Sequence, residues 1–253
     1  MIKAILHGCN GKMGQAVCSV CAEDDGIEIV AGVDVYDGKS NPFPVVQKIS
    51  DCTAEADVVI DFSNAAAVDA LLAYCGEKKI PVVLCTTGLS EAQLASVQQT
   101  AEQTAVLRSA NMSLGINTLT DLLKKAVRVF APAGFDIEIV EKHHNQKLDA
   151  PSGTALALAD AMNEELAEDY EYNYDRSKER QQRKKHEIGI ASVRGGNIVG
   201  EHEVIFAGTD EVITLKHTAY SKAVFAKGTV EAAKFLAGKK AGIYDMQDVI
   251  QAK

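Results

Sequence analysis

Tryptophan is absent from the 253 residues, and aromatic residues make up only 6% of the chain. A surface that stacks nucleobases needs aromatic faces interleaved with cations, and few aromatics here are interleaved with basic residues. The formal net charge is −9, so the overall field repels nucleic acid and anionic lipid alike. An anionic small molecule has to be captured by a local basic site. No apolar stretch is long enough to span a bilayer, and MIKAILHGCNGKMG at the start lacks the apolar run and small-residue cleavage site of a secretory signal. Cysteine is sparse as well: Cys9, Cys18, Cys21, Cys52, Cys75 and Cys85 are too scattered for a disulfide scaffold and fit a reducing cytoplasm. Cys18 and Cys21 have CxxC spacing, but they lie in an apolar helical run with no second pair. Two packed thiols are therefore expected there, not a zinc or redox site.

What is present is a globular composition, 47% hydrophobic and 24% charged, enough for one large domain or two modest ones. A short apolar run at 2–6 ends in a glycine turn, helical spacing follows over 12–23, and IEIVAGVD (27–34) reads as a second strand. ADVVIDF (56–62), a helix over 64–79, PVVLC (81–85), a helix over 90–103 and TAVLRS (104–109) continue the alternation. That order predicts a parallel sheet with helices on both faces. After 112 the pattern changes to a helix over 115–130, a strand in FDIEIVEKHH and a helix over 152–166. The polar stretch AEDYEYNYDRSKERQQRKKHE has no apolar periodicity and balances its charges, so it reads as a solvated loop. EIGIASVRGG, NIVGEHEVIFAG and DEVITLKHTA then read as consecutive antiparallel strands, before a return to helices. The predicted fold is a Rossmann-like dinucleotide-binding domain (1–112 with 223–253) and an inserted α+β domain (113–222) carrying an open, mainly antiparallel sheet.

Two stretches carry chemistry. Gly8, Gly11 and Gly14 follow the first strand and open the first helix, where glycine lets backbone approach a pyrophosphate and the helix N-terminus offers N–H groups to it. Asp34 ends the second strand 20 residues after Gly14, placed to accept hydrogen bonds from an adenosine ribose. CTTG at Cys85–Gly88 and SANMS at Ser109–Ser113 fall at the carboxyl ends of predicted parallel strands, where such sheets bind ligands. The second stretch is EKHHNQKLDAPSGTAL (141–156), which packs His143, His144 and Lys147 just upstream of a helix start. Ser152 reads as part of the cap, Gly153 leaves its N–H unshielded and Thr154 adds a hydroxyl, which together make a carboxylate-sized anion site. His143 and Lys147 are candidate acid–base groups. Adjacent histidines on a strand point apart and no third ligand is near, so no metal is expected. A hydride-delivering dinucleotide, a proton donor and a cationic pocket together describe a reductase of an anionic unsaturated or imine substrate.

EKHHNQKLDAPSGTA resembles the signature of the 4-hydroxy-tetrahydrodipicolinate reductases (dihydrodipicolinate reductases) of bacterial lysine biosynthesis. GCNGKMG, CTTG, SANMS, VRGGNIVGEH and FAKG resemble the same family in the same order. The resemblance implies NAD(P)H-dependent reduction of a cyclic dicarboxylate with loss of water. It implies His143 as proton donor and acceptor and Lys147 as proton donor, with His144, Gly153, Thr154 and Lys222 on the substrate. Gly8, Cys9, Asn10, Gly11, Lys12, Met13, Asp34, Cys85, Thr86, Thr87, Ser109, Ala110, Asn111 and Met112 would hold the cofactor. It also implies a homotetramer joined through the inserted sheet. The chain departs from the family pattern twice: Cys85 stands where glycine is common, and Lys222 where some relatives carry an arginine, keeping the charge but losing the bidentate fork. Asp34 followed by Val35 favours NADH, while Lys12 and Lys39 offer a 2′-phosphate single ammonium groups, so both cofactors are expected to work with NADH preferred. Two rival readings are another two-domain NAD(P)-dependent dehydrogenase, which would need a catalytic cysteine in the inserted domain, and a non-catalytic dinucleotide sensor. All six cysteines precede residue 112.

Overall fold

The computed structural model describes residues 1–36, 38–178 and 180–252. Glu179 of the polar stretch and Lys253 of the C-terminal segment lie outside the described residues. The chain begins with β1 (Ile2–His7), α1 (Lys12–Cys21), β2 (Ile27–Val33), a two-residue β3 (Val45–Val46) and β4 (Val58–Asp61). It continues through α2 (Ala65–Lys78), β5 (Val82–Leu84), α3 (Glu91–Ala101), β6 (Ala105–Leu107) and α4 (Leu114–Phe130). Then come β7 (Asp136–His143), α5 (Gly153–Asn163), β8 (Glu171–Asn173), β9 (Glu187–Arg194), β10 (Gly200–Ala207) and β11 (Val212–Ala219). The chain closes with α6 (Ala223–Leu236), β12 (Gly242–Tyr244) and α7 (Met246–Gln251). Local chemistry sets several of these ends. Asn64 caps α2 by accepting the Ala66 N–H, and Ser90 and Gln93 form a capping box at α3.

By its contacts the chain divides into two compact units, 1–114 with 222–253, and 115–221. The first contains a seven-stranded sheet in the order β12-β6-β5-β4-β1-β2-β3, with every pairing parallel. Alternate side chains go to opposite faces, as the two-residue period of a strand requires. Ala4, Leu6, Ile60, Val83 and Leu107 pack with Val17 of α1 and with Val230 and Leu236 of α6. Ile5, Val59, Leu84 and Val106 pack with Leu71 and Leu72 of α2 and Val97 of α3. Strand order reverses between β1 and β4, so the connections leaving their carboxyl ends run to opposite faces and open a crevice between them.

The second unit carries a five-stranded sheet in the order β11-β10-β7-β9-β8. Its inward residues, among them Ile137, Ile139, Ile188, Val204 and Phe206, are covered by Leu123 and Val127 of α4 and Leu158 and Met162 of α5. The sheet is mixed and not mainly antiparallel. β10 runs antiparallel to β7 and β11, whereas β9 runs parallel to β7 and β8. β9 and β10 are not a hairpin, because β7 lies between them. The crossover through α5 brings the chain back parallel to β7, and the segment 195–199 then straddles the end of β7 to reach its other side. Gly195 N–H donates to the His143 carbonyl at 2.9 Å, and Asn145 N–H to the Gly196 carbonyl at 3.2 Å, so this segment clasps the histidine pair.

The polar stretch is held by charge. β8 pairs with β9, and Arg183 donates to Asp136 Oδ1 at 2.9 Å, Glu138 Oε1 at 3.0 Å and the Ile137 carbonyl at 3.0 Å. These ties leave no apolar period in the sequence, which is why the segment reads as loop.

Candidate active site

In the first unit the three glycines make room by different means. Gly8 has φ 80°, and a Cβ there would stand 2.5 Å from the Phe62 carbonyl oxygen. A Cβ on Gly14 would collide with the Gly8 carbonyl oxygen, so strand end and helix start are packed backbone on backbone. Helix α1 has Gly11 as its N-cap, no side-chain cap and no acid in its first turn, which suits the phosphates of a dinucleotide. Beside it opens a cleft of about 380 Å³ lined by Gly8, Gly11, Asp34, Val35, Lys48 and Ser63, among others. A second cleft, of about 560 Å³, brings Gly11–Met13, Cys85–Thr87 and Ser109–Met112 onto one surface with Phe225. Gly11 lines both clefts, so the start of α1 stands between them.

Some of the predicted cofactor residues are already engaged. Cys9 packs in the core, and burial, then the nearby Asp34 charge, push its thiol up to about 11. The Asn10 N–H donates to Asp34 Oδ2 at 2.9 Å and the Tyr36 N–H to Asp34 Oδ1 at 2.9 Å, fixing this carboxylate at the cleft wall. The Asn10 side chain donates to the Tyr36 carbonyl and accepts from Asn41. The Thr86 hydroxyl is engaged, donating to the fully buried Asp61 at 2.6 Å, whereas Thr87 is exposed. Ser63 donates to the same carboxylate at 2.6 Å, and His7 Nδ1 lies 2.9 Å from it without hydrogen-bond alignment. Cys85 Sγ sits 3.8 Å from Thr229 Oγ1, and burial raises its thiol, which makes it a poor nucleophile. Cys18 and Cys21 are free thiols, both raised chiefly by burial. Among the described residues there is no group of three metal-ligating side chains.

The second unit holds the candidate acid–base groups. β7 alternates, sending Ile137, Ile139, Glu141 and His143 to its buried face. Glu141 is wholly buried, and each of its oxygens accepts from Arg194, at 2.6 and 2.8 Å. Its Oε2 also lies 2.6 Å from His143 Nδ1, and its Oε1 accepts the Ser152 N–H at 3.1 Å. Burial alone would raise this carboxyl, but Arg194, then Ser192 and His143, hold it at about 2. Burial pushes the His143 imidazole down, against the pull of Glu141. Behind it, His202 Nε2 shares a hydrogen bond with the Ser152 hydroxyl, 3.0 Å away, and its ring meets that of His143 edge-on at 5.2 Å between centroids. Burial, reinforced by His143, pushes His202 down to about 4, so it is neutral.

Ser152 caps α5 by accepting the Ala155 N–H at 3.1 Å. A Cβ on Gly153 would meet nothing within 4 Å, so the helix start is open to approach from that side. Lys147 pairs with Asp149 at 2.8 Å, and this hydrogen bond, with the Gly153 N–H adding to it, holds the Asp149 carboxyl below its usual range. His144 is half-buried beyond the end of β7, and its carbonyl accepts the Lys147 N–H at 3.2 Å. His143, His144, Lys147, Gly153 and Thr154 thus belong to one unit, while Lys222 belongs to the first unit, at the N-cap of α6.

Comparison with known proteins decides between the readings this geometry leaves. The family model described as dihydrodipicolinate reductase, N-terminus, matches residues 2–112, and its C-terminal counterpart matches 115–250. The chain belongs to the dihydrodipicolinate reductase family. Within that family it is 53% identical over 251 residues to the 4-hydroxy-tetrahydrodipicolinate reductase of Caldanaerobacter subterraneus subsp. tengcongensis, covering 99% of each chain. It is 48% identical over 253 residues to that of Clostridium novyi, covering all of both. The fold resembles that of the dipicolinate-bound dihydrodipicolinate reductase from Paenisporosarcina sp. TG-14, with a TM-score of 0.80, 26% identity and 97% of each chain covered.

Four residues on which the polar contacts described above converge are not singled out by the sequence: Asp61, Glu141, Arg194 and His202. Glu141 carried a visible sign, being a charged residue on the inward side of an alternating strand. Arg194 did not, because its partner depends on β9 lying parallel to β7.

Proposed function

We propose that the protein reduces 4-hydroxy-tetrahydrodipicolinate to tetrahydrodipicolinate with loss of water, using NADH or NADPH, in the diaminopimelate route to lysine. The observation that carries this reading is the second unit's cluster. Within one short segment stand a carboxylate-oriented imidazole, a lysine ammonium and an approachable helix start. Few reactions need all three; reduction of a cyclic dicarboxylate does. A nicotinamide held by the first unit would supply the hydride. Lys147 supplies a proton from Nζ as negative charge develops on the substrate, and His143 gives or takes a proton. His144, Gly153 and Thr154 hold a substrate carboxylate, and Lys222 adds a cation for the same ligand. Gly8–Met13, Asp34, Cys85–Thr87 and Ser109–Met112 hold the cofactor, with Cys9, Asn10 and Thr86 contributing backbone or support.

NADH is the preferred cofactor on this reading. Asp34 is anchored by two backbone N–H groups, so its charge stays where a 2′-phosphate would need to sit. Lys48 lines the same cleft and, with Lys12 and Lys39, keeps NADPH usable. The first unit is the dinucleotide-binding domain, and the second binds substrate and joins subunits in a cytoplasmic homotetramer. Support for the tetramer comes from the sheet's outer face, where Lys142, Glu201 and Lys216 form a cross-strand ion-pair row and Val193 and Val212 are exposed. Among the described residues no helix is long and apolar enough to cross a membrane.

The test is purified protein supplied with enzymatically generated substrate, following oxidation of NADH and of NADPH. Tight NADH binding without turnover would favour the sensor reading instead. Light scattering during gel filtration tests the tetramer.

A further inference from the structure

Glu141 and Arg194 touch neither of the two clefts, yet they sit where the acid–base segment, the helix start and the lysine loop converge. Glu141 is the one acidic residue on the buried face of β7, and its carboxylate is surrounded by donors. Two come from the Arg194 guanidinium, one is the Ser152 N–H and one is His143 Nδ1. Arg194 reaches further, donating at 2.6 Å to the Asp149 carbonyl, in the turn that carries Lys147's ion-pair partner. The register makes this possible, since His143 and Arg194 are direct neighbours on parallel strands and Glu141 faces His202 across the antiparallel pair.

We infer that Glu141 and Arg194 are a positioning pair, which fixes His143 as the Nδ1–H tautomer and holds its imidazole in register with the N-terminus of α5 and the Lys147 loop. The inference deepens the proposed reductase reading and rests on it for the role of His143. An ionised carboxylate only accepts, so the 2.6 Å contact places the proton on Nδ1 and leaves Nε2 as the nitrogen that exchanges protons. Nε2 looks over Gly200, where a Cβ would approach it to 3.2 Å, so the glycine keeps a side chain from crowding that nitrogen. Arg194 has a second task. A bare carboxylate at this distance would favour the imidazolium strongly, and the guanidinium neutralises it, so that Glu141 orients His143 without trapping its proton. The other groups facing His143 are Lys147 from the loop and neutral His202 from β10; neither offers a competing acceptor charge.

The direct test uses the unaltered full-length protein. Nitrogen-15 spectra of the imidazoles, with His143 assigned by loss of its signal in His143→Gln, should show the proton on Nδ1 above the pH at which the ring titrates. A dominant Nε2–H form would overturn the inference. In Glu141→Gln, the amide can no longer enforce one tautomer. Turnover should fall by about 10²-fold, at the lower end of what a positioned proton-transfer group contributes. The pH limb assigned to His143 should move to lower pH, because an anion that supports the imidazolium is gone and Arg194 is left uncompensated. NADH affinity should stay within about twofold, since all its predicted ligands lie in the other unit. A Glu141→Gln enzyme with wild-type turnover and an unmoved limb would also overturn it. Absence of turnover in the wild type would sink the reductase reading while the tautomer measurement still decides the present inference on its own.

Discussion

Replacing Gly153 with valine separates two roles that a helix start can have. In the unliganded protein the substitution has little to disturb, because a Cβ at this position meets nothing within 4 Å and the backbone is not in the left-handed region. Glycine in a helix costs about 0.5–1 kcal/mol relative to alanine, and the β-branch of valine returns part of that gain. The net change should lie within about 0.5 kcal/mol, or roughly 1–2 °C in Tm for a chain of this size. Ligand binding should behave differently. A carboxylate received by the Gly153 N–H makes a charge-assisted hydrogen bond worth about 1.5–3 kcal/mol, so obstructing it should weaken binding about 10- to 150-fold. Calorimetric titration with pyridine-2,6-dicarboxylate in the presence of NADH, alongside a thermal melt, reads both quantities. An unchanged Kd together with an unchanged Tm would refute the anion-site reasoning and leave Ser152 and Gly153 as a plain helix cap.

Other outcomes follow from the same structure. Lys147→Ala should lower kcat by roughly 10²–10⁴ with little change in NADH Kd, and near-normal turnover would remove Lys147 from the proton-donor role. Asp34→Ala should narrow or invert the ratio of kcat/KM for NADH over NADPH at fixed ionic strength, mainly by weakening NADH; a wild-type ratio clearly favouring NADPH would instead assign the phosphate to Lys12, Lys39 or Lys48. Stability should fall in acid in two stages that can be separated by mutation. His202 titrates near 4 in the folded protein against 6.5 in the unfolded chain, so the unfolded state binds the extra proton and stability drops as pH falls from about 6.5 to 4. Glu141 is depressed to about 2 from 4.5, so its contribution is present above 4.5 and is lost as pH falls toward 2. Urea midpoints across pH should show Glu141→Gln flattening the lower stage and deepening the upper one, because loss of the carboxylate lets burial push His202 and His143 further down; loss of the upper stage in that variant would contradict the assignment.

The parallel nucleotide-binding sheet was legible because its strands are short continuous apolar runs alternating with helices, a pattern that depends only on local composition. The histidine–lysine segment and the glycine loop were legible for the same reason, since each is contiguous. What sequence reading did not reach is set by strand register. Taking EIGIASVRGG and NIVGEHEVIFAG as neighbours is reasonable from a glycine turn, but β7 inserts between them, and that insertion brings Arg194 to Glu141. Asp61 was likewise hidden, because its partners Ser63 and Thr86 follow different strands and meet only when β4 and β5 align. Polar networks that bridge strands are thus harder to read than the motifs they support.

The way the first unit is assembled bears on the order in which the protein acquires structure. Its core joins Ala4, Leu6 and Ile60 to Ala226, Val230, Leu236, Met246 and Val249, and a Cβ on Gly228 of α6 would run into the Met112 carbonyl. One face of the parallel sheet is therefore covered by α1 alone, and only in part, until the last thirty residues have been synthesised. The second unit spans a single stretch, 115–221, and its core draws on nothing outside that stretch. A nascent chain should then close the later-encoded unit before the earlier one, reversing the usual N-terminal-first sequence. Pulse-labelled hydrogen exchange during refolding should protect Ile137, Ile139 and Val204 ahead of Ile5, Leu6 and Val59. The opposite order would mean that the parallel strands hold together before α6 arrives to cover them.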